Sequence, residues 1–308
     1  MKILFTGASS FTGFWFVQAL AAAGHEIVCP VTRDLEGYDG TRRQRIELLK
    51  PLCRLVSHAP FGSDNFIKLA GAGNFDLLCH HAADVTNYKS PGFDAQAALR
   101  NNTHNLPATL AVLRERGLKS VLLTGTYFEA GEGVGSEPLR TFSPYSLSKT
   151  LTFDLFLVEC RNAGLPLGKF VIPNPFGPFE EPRFTAFLIK NWKASQPCEV
   201  KTPDYLRDNI HANLLAAAYA KFAAHVAASK EPLLKINPSG YVEQQGQFAQ
   251  RVAREVKARL GWACELKLAR QEDFSEPLRR ANFEPVAPHH PDWNESAAWD
   301  AFAEFYAR

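Results

Sequence analysis

The stretch KILFTGASSFTGFWFVQALAAAG, residues 2–24, decides the fold. A short and mainly apolar run from Lys2 to Phe5 stops at the turn TGASSFTG, residues 6–13, and a second apolar run continues from Phe14 to Ala23 before Gly24 ends it. This succession of a short apolar run, a turn of small residues and a longer apolar run predicts a buried strand, a tight turn and a helix.

The turn between strand and helix predicts a binding site for a dinucleotide. Gly7 and Gly13 let the backbone approach a phosphate closely. The N–H groups around Ser10, Phe11 and Thr12 at the helix start would then face the anion with the helix macrodipole behind them. Ser10 stands where a middle glycine would be expected. On this stretch alone, an ordinary strand-to-helix turn therefore stays open as an alternative.

Composition and charge are those of an ordinary soluble globular protein. The chain has 308 residues, of which 46% are hydrophobic and 21% charged, enough for one large or two modest domains. A net charge of +2 gives no electrostatic reason for a nucleic-acid or membrane-surface partner, and we expect neither. The most apolar later stretch, Leu214 to Ala228, carries Lys221 and His225, so no membrane span is expected.

The cysteines are scattered singly, without the close pairs of a zinc site or a redox dithiol. We therefore expect reduced and mostly buried thiols, no metal site and a cytoplasmic protein. The six residues are Cys29, Cys53, Cys79, Cys160, Cys198 and Cys264.

A second buried strand is predicted from His25 to Val31, and its end favours NADP as the cofactor. In a dinucleotide-binding fold an acid at this strand end binds the ribose hydroxyls, whereas an arginine accommodates a 2′-phosphate. The sequence offers Arg33, with Asp34 just beyond. The preference over NAD is weak, because a surface arginine at a strand end is common.

Three arginines follow on a predicted helix from Thr41 to Lys50. A solvated helix face explains them more simply than a second phosphate clamp. They are Arg42, Arg43 and Arg45.

Further strands predicted at Leu52 to Val56 and Phe75 to Cys79 alternate with helices, which favours a parallel sheet covered on both faces. The second of these strands runs into two histidines and then Ala82 and Ala83, small residues that permit close approach of a ligand at a strand end. No metal-ligand partner lies at a suitable spacing from the histidines. We expect His80 and His81 to serve packing or backbone hydrogen bonding.

A long helix is predicted from Phe93 to Arg116, with Asn102 inside it. A polar residue within an otherwise apolar helix needs a partner. Asn102 is therefore expected either to meet a loop of the site or to cap a kink.

A fifth strand, Ser120 to Leu123, leads into residues 124–127, and a further helix begins near Ser143. Tyr145 and Lys149 lie four residues apart, so they share one face of this helix. An ammonium held near a phenol lowers the phenol pKa from its ordinary value of about 10, and a tyrosine so tuned can exchange a proton with a substrate oxygen. The same spacing is common on helix surfaces, so the position of the pair in the chain favours catalysis more than the spacing does.

Taken in order, these features resemble the short-chain dehydrogenase/reductase superfamily. They are the phosphate turn, the small residues after the fourth strand, Thr126 after the fifth strand, and the Tyr145/Lys149 pair. Two later stretches resemble the extended branch of that superfamily, the NAD-dependent epimerase/dehydratase family. PNPFGP, residues 173–178, is similar to its asparagine and aromatic-Gly-Pro turn, and YLRDNIH, residues 205–211, to its Arg-Asp-aliphatic-His segment near the substrate's nucleotide.

The resemblance, which covers residues 1 to about 240, implies an NAD(P)-dependent enzyme that acts on a sugar carried by a nucleoside diphosphate. By position, Tyr145 would be the acid/base on the sugar hydroxyl. Lys149 would bind the nicotinamide ribose and tune Tyr145, and Thr126 would share the hydrogen bond of the hydroxyl.

The same resemblance assigns supporting and substrate-binding residues. Asn102 would help to support the site, while Asn174 and Arg207 would hold the diphosphate, which suits the forked donors of arginine. Likeness to the family also implies a homodimer packed through the helices at 93–116 and 143–163.

The expected architecture is a doubly wound parallel sheet of the Rossmann type over residues 1–175, completed by elements within 205–240. A smaller C-terminal domain, residues 176–308, is expected to bind the substrate, because the alternation of strands and helices changes after about residue 172. A group of late aromatic residues is expected to form core rather than a ligand site. These are Trp293, Trp299, Phe302, Phe305 and Tyr306.

The reaction follows by exclusion among the chemistries of the family. Dehydratases that it resembles place an Asp-Glu pair directly after the catalytic threonine, and epimerases acting at C3 and C5 place a cysteine there. Here Tyr127 and Phe128 follow Thr126, and the first acid is Glu129. Hydride transfer at one carbon, most simply C4, remains, by a 4-epimerase or a 4-keto-sugar reductase. A non-catalytic dinucleotide-binding sensor or scaffold is the alternative, although a pure binder has no need of Tyr145.

Overall fold

A seven-stranded parallel sheet lies at the centre of the computed structural model, which describes residues 1–308. The strands in chain order are β1 Lys2–Thr6, β2 Glu26–Pro30, β3 Arg54–Val56, β4 Leu77–His80, β5 Ser120–Thr126, β6 Val134–Gly135, β7 Leu167–Ile172, β8 Asn174–Phe176, β9 Cys198–Val200, β10 Leu206–His211, β11 Leu233–Ile236, β12 Pro238–Ser239, β13 Tyr241–Gln244, β14 Leu266–Leu268, β15 Arg280–Ala281 and β16 Glu284–Pro285. The helices are α1 Phe11–Ala22, α2 Gly40–Leu49, α3 Asp64–Ala72, α4 Ala95–Asn102, α5 Leu106–Glu115, α6 Pro144–Ala163, α7 Phe184–Lys193, α8 Ala212–Ala228, α9 Gln245–Leu260 and α10 Glu295–Ala307.

The central sheet has the spatial order β11-β7-β5-β4-β1-β2-β3, and all its neighbouring strands run parallel. Successive strands extend in one direction from β1 and in the other from β4, so the order reverses between these two strands. The doubly wound sheet expected from the sequence is confirmed. In such sheets ligands bind outside the carboxyl ends of the strands, at the point of reversal.

Side chains of one strand serve two separate cores, because successive residues of a strand point to opposite faces. Ile3 and Phe5 pack with α1 and α8 on one face. Leu4 packs on the other face, in a core that includes residues of α3, α5 and α6. Helices therefore cover the sheet on both faces, which agrees with the alternation in the sequence.

A third core forms from residues after β7. Phe176 of β8 lies 5.3 Å, between ring centroids, from Trp299 of α10, and Phe302 is fully buried beside them. The expectation of core aromatics is confirmed for Trp299 and Phe302, while Trp293, Phe305 and Tyr306 are partly buried.

The late segment also returns to the central sheet, since β11 forms its edge beside β7. The division between residues 175 and 176 stays a prediction.

The predicted helix from 93 to 116 is wrong, because two helices occupy this stretch. α4 ends at Asn102 and α5 begins at Leu106, with Asn105 in the left-handed conformation at φ 48° between them. Pro107 lies in the first turn of α5, where its missing N–H breaks no helical bond. The Asn105 side chain donates a 2.9 Å hydrogen bond to the carbonyl of Gly62, which holds the break in place.

No helix combines the length and apolar character needed to cross a membrane. No group of three or more His, Cys, Asp or Glu side chains is arranged to hold a metal ion. All six cysteines are free, and five of them are buried.

Candidate active site

The turn after β1 is built around the hydroxyl of Ser10. Ser10 is the N-cap of α1, where its Oγ accepts a 3.1 Å hydrogen bond from the N–H of Gly13 and donates to the carbonyl of Gly7 at 2.8 Å. Gly7 has φ 82°, and a Cβ there would lie 2.8 Å from the amide nitrogen of Ala82. A Cβ at Gly13 would lie 2.2 Å from the carbonyl oxygen of Gly7. Both glycines are therefore required, and Ser10 stabilises the helix start in place of a third.

His81 fastens this turn to the neighbouring strands. Its Nε2 lies 3.1 Å from Ser10 Oγ and 3.0 Å from Thr12 Oγ1, and its Nδ1 lies 3.0 Å from Thr124 Oγ1 at the end of β5. Burial lowers the pKa of His81 to about 3, so the ring is neutral and donates through one nitrogen only. His80 is buried, and its Nε2 lies 3.1 Å from the carbonyl oxygen of Asn102, so the expectation of packing or backbone hydrogen bonding is confirmed for His80. His81 packs against Phe16, but its ring nitrogens meet side-chain hydroxyls rather than the backbone.

A cavity at the carboxyl ends of β1 and β2 adjoins the turn. Its mixed walls suit one end of a dinucleotide, because backbone N–H groups lie on one side and apolar side chains on the other. It is lined by Thr6, Gly7, Ala8, Ser9, Pro30, Val31, Thr32, Tyr38, Ala59, Pro60, Phe61 and Ala82.

Arg33 is exposed beside this cavity, with its guanidinium 5.2 Å from the centroid of the Tyr38 ring. A 3.5 Å hydrogen bond to the carbonyl of Gly37 is the one hydrogen bond of its side chain. The remaining donors of Arg33 are free to meet an anion.

Asn102 ends α4 and joins the loop after β4 to α6. Its Oδ1 accepts a 2.8 Å hydrogen bond from the amide of Asp84, and its Nδ2 donates to Thr152 Oγ1 at 3.2 Å. Ala83 lies in the loop so held and is half-buried. Of the two roles left open by the sequence, Asn102 therefore takes the contact with a loop.

Tyr145 and Lys149 are positioned by the start of α6. Ser143 and Ser146 cap this helix reciprocally, each hydroxyl accepting from the backbone N–H of the other at 3.1 Å. Lys149, on the next turn after Tyr145, donates from Nζ to the carbonyl of Thr124 at 2.7 Å. Thr126 ends β5 two residues farther on and is buried. The structure thus brings Lys149 and Thr126 to one end of β5, and Tyr145 lies one helical turn before Lys149.

The expectation that Lys149 lowers the pKa of Tyr145 is wrong for this structure. Burial raises the pKa of Tyr145 above its ordinary value, Glu129 and Tyr88 act in the same direction, and Arg183 opposes them. The ammonium of Lys149 is directed to the main chain of β5, where it donates to the carbonyl of Thr124. Tyr145 is therefore held in its protonated form.

The sequence interpretation missed a buried ion pair behind the site. Lys169 of β7 lies 2.5 Å from Glu129 and 2.8 Å from Glu132, and all three side chains are at most 5% exposed. The signal was present in the sequence: a lysine interrupts the otherwise apolar strand LGKFVI, residues 167–172. A buried charge in such a strand requires a partner.

Asn174 and Arg207 lie outside the central sheet but near its site edge. They belong to adjacent parallel strands, β8 and β10, in which Asn174 is paired with Asn209. Tyr127, next to Thr126, is fully buried, and Asn174 and Arg207 both oppose the rise in its pKa that burial causes. The three side chains therefore form one group beside the end of β5.

Arg207 is already engaged by other groups. Its guanidinium donates to Glu276 at 2.8 Å and to the carbonyl of Pro277 at 2.9 Å, and it lies over the ring of Tyr205. Glu276 is 44% exposed and so can move away. A diphosphate at Arg207 would take the place of this carboxylate.

Arg45 corrects the expectation of a wholly solvated face on α2. Arg42 is exposed, and Arg43 pairs with Glu47 near the surface. Arg45, by contrast, is fully buried and donates to the carbonyl of Ser9 and to Glu181, both at 2.7 Å. It joins the phosphate turn to the loop that follows the PNPFGP stretch, because its position on the helix faces inward.

In the same loop, Glu180 predicts a pH dependence of stability. Burial raises its pKa from 4.5 to about 7, although Thr185 and Arg183 oppose the rise. Between pH 4.5 and 7, Glu180 holds a proton in the folded chain that it releases in the unfolded chain. The contribution of Glu180 to stability is therefore complete below pH 4.5 and is lost as the pH rises through 7. We expect Glu180→Gln to raise the free energy of unfolding by about 2–3 kcal/mol at pH 8 relative to the wild type, with little difference at pH 4.5. Urea unfolding at both pH values measures this, and a difference that does not change with pH would contradict it.

Comparison with known proteins identifies the family. The model of the NAD dependent epimerase/dehydratase family matches residues 3–236. No curated protein matches the chain in sequence.

Solved structures share the fold at low sequence identity. A UDP-glucuronic acid 4-epimerase from Bacillus cereus, in complex with UDP-glucuronic acid and NAD, is 18% identical with a TM-score of 0.75, covering 100% of this chain and 99% of its own. DesIV, a dTDP-glucose 4,6-dehydratase from Streptomyces venezuelae with NAD bound, is 16% identical with a TM-score of 0.73, covering 100% and 97%. A UDP-glucose 4-epimerase from Thermotoga maritima is 15% identical with a TM-score of 0.73, covering 100% and 99%. The family's model matches most of the chain, and these structures share its fold along their full length, so the chain belongs to the NAD dependent epimerase/dehydratase family.

Proposed function

We propose that this protein transfers hydride at C4 of a nucleotide-diphosphate sugar, as a 4-epimerase or a 4-keto-sugar reductase. One observation carries the proposal. Tyr145 lies one helical turn before Lys149 on α6, Lys149 is fixed to the carbonyl of Thr124, and Thr126 ends the same strand. This arrangement supports a site in which a proton donor, a cation and a second hydroxyl act together at the edge of the sheet where the dinucleotide turn lies.

The residues divide the chemistry between them. A nicotinamide dinucleotide, when bound, would accept or supply the hydride. Gly7, Gly13 and the start of α1 would bind its phosphates, and Lys149 would bind its ribose. Tyr145 gives a proton to the sugar oxygen during reduction and takes it back during oxidation. Thr126 donates a second hydrogen bond to that oxygen and orients it.

Loss of water from the sugar is a poorer fit to this site. Such a reaction needs an additional acid and base next to the reacting carbons. Tyr127 is fully buried and stacks on Phe128 at 4.3 Å between ring centroids. Glu129, the first carboxylate after Thr126, is bound to Lys169 and to the amide of Thr126. Glu129 is therefore not free to remove a proton from the sugar.

Asn174, Tyr127 and Arg207 are suited to the diphosphate end of the substrate. Arginine binds phosphate in a forked geometry, and the carboxylate of Glu276 already occupies that position. Two of the proteins with this fold are named for action on UDP-linked sugars, and one for action on a dTDP-linked sugar. This supports a nucleoside-diphosphate carrier.

A panel of UDP- and dTDP-sugars and their 4-keto forms tests the proposed function. Each is incubated with the protein and NADPH, NADH or NAD, while nicotinamide absorbance and product stereochemistry are followed. Net oxidation of NADPH by a 4-keto sugar selects the reductase, and inversion at C4 without net cofactor turnover selects the epimerase. Loss of water as the sole outcome would contradict the proposal.

NADP is preferred over NAD because Arg33 is exposed beside the cofactor cavity with donors to spare. We expect Arg33→Met to weaken NADPH binding about tenfold, the usual scale for one exposed charge-assisted contact, and to leave NADH binding unchanged. Fluorescence titration measures both dissociation constants. Arg42→Met, which removes an exposed charge from α2, is the matched control and should change neither. Tighter binding of NADH than of NADPH by the wild type would contradict the preference.

The protein forms a homodimer through α6. An exposed apolar stripe runs along this helix at intervals of three or four residues, with 38–49% of each side chain exposed: Leu147, Leu151, Leu155 and Val158. A stripe of this period pairs naturally with a second copy of itself. We expect Leu151→Glu combined with Leu155→Glu to halve the mass seen by sedimentation equilibrium, whereas Phe187→Glu, at an exposed phenylalanine of α7, should not. A wild-type monomer at micromolar concentration would contradict the dimer.

A further inference from the structure

Four side chains of alternating charge run from the surface to the back of the candidate active site. Lys235, 41% exposed, lies 3.2 Å from Glu132, which lies 2.8 Å from Lys169, which in turn lies 2.5 Å from Glu129. The three inner side chains are almost completely removed from solvent. Only the outermost member of the row is in contact with water.

Stability alone is a poor explanation for such a row. Removing two ions from water is so costly that a buried ion pair commonly stabilises no better than well-packed apolar side chains of the same volume. Lys169 stands in an otherwise apolar strand, where a leucine or valine would be ordinary. Because the row lies directly behind the reacting groups, a role in the reaction explains its charged side chains better.

Glu129 is held rigidly against the end of β5. Its Oε1 accepts a 2.7 Å hydrogen bond from the amide of Thr126, and Nη2 of Arg280 donates to its carbonyl at 3.1 Å. A Cβ at Gly125 would lie 2.8 Å from Glu129 Oε1 and also 2.8 Å from Cε of Lys169. Gly125 therefore leaves the space that the ion pair fills.

The ion pair also faces α6. The ammonium of Lys169 lies 3.6 Å from the centroid of the Phe153 ring. Phe153 follows Lys149 by one helical turn, as Lys149 follows Tyr145, so the three share the helix face directed at this cluster. Lys149 donates to the carbonyl of Thr124, and Glu129 accepts from the amide of Thr126, two residues farther along the same strand.

We propose that Glu129 is a positioning residue for the reaction: its carboxylate, anchored by Lys169, fixes the main chain at Thr126, and the ion pair faces the side of α6 that carries Tyr145 and Lys149. This inference rests on the proposed function, in which that pair binds the cofactor and exchanges the proton. Glu129 touches neither substrate nor cofactor and acts through Thr126, Tyr145 and Lys149.

A fixed negative charge at Glu129 favours the proton on both groups of the pair. Burial is the main cause that raises the pKa of Tyr145, and Glu129 adds to it. Burial lowers the pKa of Lys149, and Glu129 opposes this while Lys169 adds to it. Glu129 thus acts on the pKa of both groups in the direction that keeps the proton on them. The other titratable groups that face the pair are Tyr88, Arg183, His80 and His81.

The test is a titration of Tyr145 that needs no sugar substrate. The protein is labelled throughout with 3-fluorotyrosine, which ionises at lower pH than tyrosine, and is loaded with NADPH. The fluorine resonance of Tyr145 is assigned by its absence in Tyr145→Phe. In Glu129→Gln we expect this resonance to titrate about one pH unit lower than in the wild type, because a neighbouring negative charge is lost.

Glu132→Gln is the matched control. It also removes one carboxylate from Lys169, but the Glu132 side chain is bound to Lys169 and Lys235 and not to Thr126, so the titration should stay at the wild-type position. The double variant Glu129→Gln/Lys169→Met removes both charges and avoids an unpaired buried ion if the single variant does not fold. In this double variant the fluorine resonance of Tyr145 should also titrate at lower pH than in the wild type.

An unchanged Tyr145 titration in Glu129→Gln and in the double variant would overturn the inference, even if both variants were less stable. A purely structural role would move the unfolding temperature and leave the titration alone. The proposed function fails separately, if no nucleotide-sugar is turned over although the titration shifts. Where turnover is found, the pH profile of kcat should shift in the same direction as the resonance.

Discussion

Replacement of Tyr145 by phenylalanine is expected to lower kcat/KM about 1000-fold, within the range that general acid catalysis contributes. The proton of the sugar oxygen has no other donor at this place, since Lys149 is bound to the carbonyl of Thr124 and Glu129 to Lys169. The Kd for NADPH should stay unchanged, because the phosphate turn and Lys149 remain intact. Steady-state kinetics on the active nucleotide-sugar and fluorescence titration of NADPH measure the two effects.

Tyr88→Phe is the matched control for this prediction. The ring of Tyr88 lies 5.1 Å from that of Tyr145, so the control removes a hydroxyl from the immediate neighbour of the acid/base. Tyr88→Phe should lower kcat/KM far less than Tyr145→Phe does. If Tyr145→Phe left every measurable activity and phenotype unchanged, a dinucleotide-binding sensor or scaffold would be favoured over an enzyme.

Replacement of Lys169 by methionine is expected to lower the free energy of unfolding by about 3–5 kcal/mol, the usual effect of breaking a buried ion pair. The substitution removes a side chain that is 2% exposed and leaves Glu129 without its cation in the interior. Chemical denaturation at pH 7 measures the loss, and the midpoint should fall without a change in slope.

Two further variants show whether the loss of stability in Lys169→Met comes from buried charge. Lys235→Met also removes a cation from Glu132, but at a side chain that is 41% exposed, and should change stability by less than about 1 kcal/mol. Glu129→Gln/Lys169→Met should be more stable than Lys169→Met alone, because no carboxylate is then left unpaired next to Thr126. A double variant no more stable than the single one would mean that packing, not charge, causes the loss.

Much of the fold could be predicted from local pattern. The strand, turn and helix of residues 2–24 have the required glycines, and the structure explains Ser10 as the cap of α1 rather than as a defect of the turn. The placement of Tyr145 and Lys149 on one face follows from helical spacing, which depends only on the local backbone. These features can be predicted without knowing which residues pack against them.

Features that depend on distant partners could not be predicted. The inward position of Arg45 requires Glu181, which lies 136 residues later in the chain. The lysine of β7 meets Glu129 and Glu132 only after the sheet has formed. The pKa of Tyr145 depends on burial and on Glu129, and spacing along a helix describes neither.

The most direct test of the central claim follows one hydrogen atom. Protein loaded with oxidised cofactor is mixed, in a single turnover, with a nucleotide-sugar that carries deuterium at C4, and the cofactor is isolated for mass spectrometry. We predict one deuterium on the reduced nicotinamide of wild-type protein quenched before the turnover is complete, and none in Tyr145→Phe; an epimerase then returns this deuterium to C4 of the inverted sugar. Reduced cofactor without deuterium, or product whose deuterium has been released to solvent, would contradict hydride transfer at that carbon.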